Sequence, residues 1–247
     1  MSDWDAFTEG AHCTPAVRLE VLAATPLFSA LTPDALQAVN DRCRALATSA
    51  GETVHHAGER AQSLFVVATG LVKLLRHAAD GRTVLHDLVA PGESFGSLQA
   101  LGDRHYAHDA VVVRGGCLLR LAAEDFDALL GDVPGVARAA LAITAGRLRD
   151  ARGSVDALVT LTVEGRLAAG LLRLARKVGV GDAAGTQLTE RVSQVDLAAM
   201  TGTSPESVSR TFARWRAAGL VADGEHGWRL PDVAALERLA EGGREAR

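Results

Sequence analysis

The spacing of apolar positions changes several times along the chain, and the changes outline its elements. Residues 1 to about 49 read as helical: Thr32 caps a helix, Pro33 opens it, and Leu36, Val39 and Cys43 or Leu46 return at helical spacing. From about 51 to 122 the period shortens. Apolar or alternating runs at 64–68, 71–75, 84–89, 110–113 and 118–121 are separated by turn signals at Gly70, Asp80-Gly81, Pro91-Gly92 and Gly115-Gly116. Many short strands of this kind predict a small antiparallel barrel or jelly roll. Helical spacing returns from Pro134 to about Leu161, where Val136, Ala140, Ile143, Val155, Leu158 and Leu161 form a stripe close to heptad spacing. By pattern alone this is either a core helix of one subunit or a dimer helix; its middle, GRLRDARGS, is too polar and glycine-bearing for a strong coiled coil.

Residues 192–221, VSQVDLAAMTGTSPESVSRTFARWRAAGLV, read as two short helices joined by a tight turn. Ser193 with Asp196 three residues on makes a capping-box-like start for a helix from about Gln194 to Thr201, and Gly202 supplies the turn. Ser204 caps the second helix and Pro205 takes its first position. Val208, Phe212 and Trp215 share one face and should pack on Leu197 and Met200, which leaves Glu206, Ser209, Arg210 and Ala213 outward. Those outward types suit base edges: arginine donates twice to guanine, glutamate accepts from cytosine N4, and serine reaches several bases. The pattern is that of a helix-turn-helix that lays its second helix in the DNA major groove.

Around this pair, residues 178–186 (with GVGDAAGT) read as a flexible loop. After Val221 the stretch ADGEHGWRLPDV reads as a two-stranded wing turning at Asp223-Gly224 and His226-Gly227, and 233–240 as a closing helix. The fold class expected is α+β, with residues 1–133 as N-terminal helices and sensor roll, 134–161 as a long helix, and 162–247 as a winged helix-turn-helix.

Charge changes the picture in one respect. The net charge of −4 is unevenly spread: residues 1–161 carry 14 Lys and Arg against 19 Asp and Glu, and residues 162–247 carry 12 against 11. A C-terminal part this close to neutral must hold phosphates with a few placed groups and helix N-termini. The sequence shows no apolar run of membrane-span length and no basic-then-apolar leader, so a cytoplasmic protein with no membrane partner is expected. Cys13, Cys43 and Cys117 have no paired spacing, and free thiols are the default.

TSPESVSRTFARWRAAGLV resembles the recognition helix of the CRP/FNR family of bacterial transcription regulators, and E-S-V-S-R resembles its FNR-type branch. In that branch residues placed like Glu206, Ser209 and Arg210 read a TTGAT-like half-site; the CRP branch has an arginine where this chain has Pro205. The run GERAQSLFVVATGLVKLLRHAADGRTVLHDLVAPGESFG resembles the family's cyclic-nucleotide-binding-type β-roll, and LTVEGRLAAGLLRLA resembles its hinge and the helix that follows. The resemblance implies double-stranded DNA as partner, with Ser193, Ser204, Pro205, Glu206, Ser207, Ser209, Arg210 and Arg214 as the contacting set. It further implies a homodimer, contact with RNA polymerase, and control by a small-molecule effector. A dimer helix at 134–161 is then favoured, because reading a palindrome requires two recognition helices held one DNA turn, ~34 Å, apart.

The resemblance places an effector pocket at Gly96, Ser97, Leu98, Ala107, His108 and Arg152. CRP-like proteins offer cAMP a glutamate where Ser97 stands and an arginine where Ala107 stands, and burying a phosphate without its cation costs several kcal/mol. The expected effector is therefore not cAMP. FNR-type proteins carry a cluster of N-terminal cysteines, and Cys13 stands alone in that region, so an FNR-type iron–sulfur cluster is not expected.

Two further chemistries are written in the chain. Gly92-Glu93-Ser94-Phe95-Gly96 fits the G-x-S-x-G nucleophile elbow, which makes a serine hydrolase the competing reading; short antiparallel strands do not offer the parallel sheet that elbow needs. An effector-binding module without DNA function is the other competitor. His55, His56, His86, His105 and His108 could ligate haem, as in some relatives, or a metal, although solvated strand ends are the plainer reading.

Overall fold

Thr14 and Thr32 start the first two helices in the same way: each hydroxyl accepts from the amide three residues on, and a proline fills the first helical position. These are α1 (Pro15–Ala24) and α2 (Pro33–Arg42). The computed structural model describes residues 13–78, 80, 83–96, 104–225 and 227–242. They fall into two compact units, residues 1–76 with 86–147 and residues 77–85 with 148–247.

The helical reading of the first 49 residues ends early. Cys43 closes α2 in an extended conformation, and β1 (Arg44–Thr48) follows as a strand paired antiparallel with β6 (Asp109–Ala122), from Arg44↔Arg120 to Thr48↔Gly116. Tertiary pairing overrides the local period here. The remaining strands of this sheet are β2 (Thr53–His55), β3 (Ser63–His77), β4 (Thr83–Val89) and β5 (Ser94–Gly96). The order is β1-β6-β3-β4, with β2 also on β6 and β5 on β3.

Two expected turns are not turns. Gly70 lies inside β3 and Gly115-Gly116 inside β6, and the two strands run together from Ser63↔Ala122 to Leu75↔Asp109. Their register shifts between Val67 and Val72, where Gly70 has φ +97° and a Cβ on Gly116 would stand 2.3 Å from the Thr69 carbonyl oxygen. A strand glycine that admits close backbone approach marks a bulge. The extra residue changes which side chains face inward. Before the bulge Leu64, Val66 and Ala68 face the helices while Phe65 and Val67 face the roll interior; after it the even-numbered Val72 faces the interior.

The sensor unit therefore has two cores on opposite faces of one sheet. On the outer face Val21, Leu22, Phe28 and Val39 of the N-terminal segment pack with Phe126 of α3 (Ala123–Asp132) and Val136 and Ala140 of α4 (Pro134–Thr160). Inside the roll Phe65, Phe95, Tyr106, Val112 and Leu118 pack together. The stripe expected along α4 is split between two faces. Val136 and Ala140 are buried with Ile143 against them, whereas Leu141, Leu148 and Val155, seven residues apart, stay exposed together with Leu158 and Val159.

In the second unit Thr162 caps α5 (Val163–Val178), which buries Leu167, Leu171 and Leu174. Where a loop was expected, β7 (Gly179–Asp182) and β8 (Gly185–Leu188) form a hairpin. Its glycine-rich runs carry little strand signal, but β8 pairs with β10 (Trp228–Leu230), and Asp182 accepts two bonds from Arg229 at 2.8 and 2.9 Å. The wing is thus a four-stranded sheet in the order β7-β8-β10-β9, with β9 at Ala222–Asp223. The expected turn at His226 lies outside the described residues. α6 (Gln194–Thr201), α7 (Pro205–Ala217) and α8 (Val233–Ala240) stand where the spacing puts them. Among the described residues no single helix is long and apolar enough to cross a membrane.

Candidate nucleic-acid interface and effector pocket

α6 and α7 are positioned from both ends and from beneath. The Ser193 hydroxyl accepts from the Asp196 amide at 3.0 Å and donates to its carboxylate at 2.7 Å. Gly202 turns the chain in the left-handed region (φ 62°, ψ 44°). Ser204 then caps α7, accepting from the Ser207 amide at 3.3 Å. Beneath α7, Val208, Thr211, Phe212 and Trp215 are buried with Leu197, while Met200 is half-buried; Phe212 meets Trp228 of the wing edge-on at 4.8 Å. Arg166 ties the turn to α5, donating to the carbonyls of Thr201 (3.0 Å), Gly202 (3.4 Å) and Leu161 (3.1 Å). Nothing in the spacing singled out Arg166, since an arginine on an amphipathic helix reads as a solvated face.

The outward surface of α7 carries Pro205, Glu206, Ser209, Arg210, Ala213 and Arg214, all exposed, with Ser207 half-buried. Arg210 donates to the Ser207 hydroxyl at 3.0 Å, so its guanidinium rests on a neutral group one turn back. The Glu206 carboxyl is held below the usual carboxylate range by its own backbone amide and then by the Ser204 hydroxyl, with Arg210 adding to both. Arg214 is paired with Glu164, and Arg216 with Asp223 at 2.8 Å. The face thus presents one carboxylate, two hydroxyls and a forked cation, the donor and acceptor set that base edges in a major groove can meet.

In the sensor unit the histidines are not all solvated strand ends. His55 is 6% exposed and stacks on Tyr106 at 3.7 Å. Neither ring nitrogen completes a hydrogen bond, although the His108 carbonyl approaches. Burial pushes its pKa down to about 4. A cavity of about 320 Å³ lies beside it, lined among others by Ser63, Phe65, Tyr106, Leu118 and Arg120. His56 is exposed and pairs with Asp109 at 3.4 Å.

Of the expected effector residues, His108 has the most defined surroundings. His108 stands with its ring 4.2 Å from that of His86, and burial, followed by His86, Arg76 and Arg147, lowers its pKa to about 4 against the opposing pull of Asp87. Arg147 donates to the Ser94 carbonyl. Gly96 ends β5, Ala107 precedes His108, and Arg152 is exposed on α4; Ser97 and Leu98 lie outside the described residues. Arg76 and Arg147 were the residues the sequence did not connect to His108, and His86 was grouped with it only as a candidate haem or metal ligand. They sit on three separate elements, and only the fold gathers them. Among the described residues no group of three or more His, Cys, Asp or Glu could hold a metal ion.

Ser94 is not a nucleophile elbow. It is 8% exposed within β5, paired antiparallel with Val66 of β3, and so lacks the strand-to-helix corner on a parallel sheet that exposes such a serine. Residues 97–103, which follow the motif, lie outside the described residues.

Comparison with known proteins matches two stretches of the chain to family models. Residues 46–132 match the model of the cyclic nucleotide-binding domain and residues 165–239 that of the Crp-like helix-turn-helix domain. The chain is 32% identical over 221 residues to the cyclic AMP receptor protein of Thermus thermophilus, covering 90% of this chain and 99% of that one. It is 30% identical to a CRP-family transcriptional regulator of the same organism whose structure superposes with a TM-score of 0.65, covering 82% of this chain and 100% of the other. The structure of FixK2 from Bradyrhizobium japonicum, 24% identical and covering 80% and 96%, shares the fold with a TM-score of 0.72.

The buried histidines set a pH dependence. Their folded pKa values of about 4 lie below the unfolded value near 6.5, so the unfolded chain binds more protons between those limits. Stability from keeping them neutral is fully present above ~pH 6.5 and is lost as pH falls toward 4. In an imidazole NMR titration two of the histidine C2–H resonances should keep neutral shifts below pH 5. Midpoints near 6.5 for all the histidines would contradict their burial.

Proposed function

Because the chain belongs to the CRP/FNR family of transcription regulators, which are not enzymes, we propose that it acts as a homodimer that reads a TTGAT-like palindrome through α7 and answers a small-molecule effector other than cAMP. The observation that carries the DNA reading is the outward set Glu206, Ser209 and Arg210 on a helix fixed from beneath by Val208, Phe212 and Trp215. Ser193, at the N-terminus of α6, and Ser204 and Ser207, at that of α7, sit where backbone phosphates meet helix N-termini. Pro205 favours the FNR-type site over the CRP-type one. Contact with RNA polymerase and a cytoplasmic location belong to the same proposal.

The homodimer rests on α4. Leu141 (66% exposed), Leu148, Val155, Leu158 and Val159 (82% exposed) run down one side of the helix. Each such side chain gains ~1.5–3 kcal/mol when buried, and a second copy of the same stripe is the self-complementary cover a two-fold axis supplies.

The effector reading rests on Ala107, which offers no cation where the resemblance places the phosphate-binding arginine. Arg147 and Arg76 do surround His108, which favours an anionic ligand of different shape. The name of the Thermus relative, cyclic AMP receptor protein, favours cAMP instead. Thermal unfolding separates the two readings: cAMP at a hundredfold excess over a micromolar Kd should leave the melting temperature unchanged, where a true ligand adds ~2.7 kcal/mol.

Against a TTGAT-N4-ATCAA duplex, Arg210→Ala should cost ~1–3 kcal/mol per half-site and flatten preference for one base, with Arg210→Lys recovering part of the loss. A change confined to salt dependence would assign Arg210 to phosphate instead. Leu148→Asp should give a monomer in native mass spectrometry and abolish the full-site gel shift; a dimer that persists would move the interface away from α4.

A further inference from the structure

Cys13, Cys43 and Cys117, separated by 30 and 74 positions in the sequence, meet in one core of the folded sensor unit. Cys117 points from β6 to the helical side, in alternation with Leu119 and Leu121; Cys43 ends α2, and Cys13 stands one residue before the Thr14 cap of α1. Cys43 and Cys117 are buried, and Cys13 is half-buried at the margin. All three are free thiols.

Two of them form a pair. Cys13 packs against the cluster that holds Cys117, whose thiol hydrogen-bonds the Cys13 sulfur and also meets the Leu46 backbone and, at 3.9 Å, the Leu118 carbonyl. Arg18 lies one turn into α1, and its charge acts on each of the three sulfurs. The Nε atom of Arg18 is buried with no hydrogen-bond partner, an unusual state for a guanidinium donor. A cation acting on two hydrogen-bonded thiols, one of them half-buried at the margin of the core, is the environment in which a thiolate forms and reacts. Cys117 is rigid by comparison: its amide donates to the Thr69 hydroxyl at 3.0 Å, and its Cα is paired with Ala47 on one side and Thr69 on the other.

We propose that Cys13 and Cys117 are an oxidisable pair in which hydrogen peroxide oxidises Cys13 and Cys117 then closes a disulfide, tying the start of α1 to β6. The Cys13 thiolate attacks an oxygen of the peroxide. The O–O bond breaks, hydroxide leaves and takes up a proton as water, and Cys13 becomes a sulfenic acid. The sulfur of Cys117 then attacks the sulfenic sulfur, the S–O bond breaks, and the departing hydroxide leaves as water with the Cys117 proton. The dithiol loses two electrons and the peroxide gains two.

The roles are not interchangeable. Cys13 is half-buried at the margin of the core, where a small oxidant can reach it, while Cys117 is buried within β6, and the hydrogen bond between them lowers the Cys13 thiol and raises that of Cys117. Burial pushes Cys43 up to about 11, with Asp125 adding to this and Arg18 opposing, which leaves it a bystander. A disulfide here would also act on α4, because Val136, Ala140 and Ile143 pack in the same core as the sulfurs.

The test uses the reduced full chain and hydrogen peroxide at equimolar amounts. After unfolding and alkylation, one thiol should remain instead of three, and peptide mapping should find Cys13 joined to Cys117 within one chain. Cys43→Ser should leave that product unchanged, and Cys13→Ser should abolish it. In the untreated protein, iodoacetamide at pH 7 should label Cys13 more than ~10-fold faster than Cys43, with a half-maximal pH below the free-thiol value of ~8.5. Arg18→Gln should slow that labelling at pH 7 but not at pH 10, and Arg18→Lys should restore part of it. Earlier consumption of Cys43, a disulfide linking two chains, or a sulfinic acid at Cys13 with Cys117 still reduced would each overturn the proposal.

Discussion

The long antiparallel pairing of β3 with β6 is the constraint on which the sensor unit depends. The two strands run side by side from Ser63↔Ala122 to Leu75↔Asp109, and the sheet they form has to bury both faces, one against helices and one inside the roll. A flat pairing would keep one parity of side chains on each face throughout. The shift at Gly70 and Gly116 breaks that rule in one place, so β3 presents Leu64 and Val66 to the helices in its first half and Val72 to the interior in its second. With Cys117 lying next to this shift, the position of the sulfurs is set by the same irregularity that closes the roll.

The helix-turn-helix unit depends on a different principle. Its charge balance is nearly neutral, and several of its cations are already committed: Arg166 to backbone carbonyls, Arg214 to Glu164, Arg216 to Asp223 and Arg229 to Asp182. These commitments orient α7 rather than attract a polyanion from a distance. What remains outward on α7 is short in reach and specific in hydrogen-bonding pattern, with Arg210 resting on a hydroxyl that costs little to leave.

The sequence was most legible where one residue type has one conformational meaning. Ser193, Gly202, Ser204 and Pro205 each have a fixed role at a helix end, and α6 begins and ends, and α7 begins, where they say. It was least legible where a residue has two meanings. Gly70 and Gly115-Gly116 read equally as turns or bulges, and only the partner strand decides between them. The hairpin β7–β8 and the helix α3 have weak or no local signal and exist because β10 and the helical core receive them. Other long-range groupings were invisible: Arg147 with Ser94, and the three cysteines, share no spacing that a one-dimensional pattern could register.

α4 carries apolar side chains on two of its faces. Val136, Ala140 and Ile143 look one way into the sensor core, and Leu141, Leu148 and Val155 look another way to solvent. Consecutive residues in a helix are separated by ~100° around its axis, and the backbone hydrogen bonds do not allow one stretch to turn without the next. A turn of this stretch that resettles Val136, Ala140 and Ile143 would therefore carry Leu141 round by the same angle, in the manner of an axle. A disulfide at the sulfurs proposed above, which share that core, would act on the outward side chain without touching it.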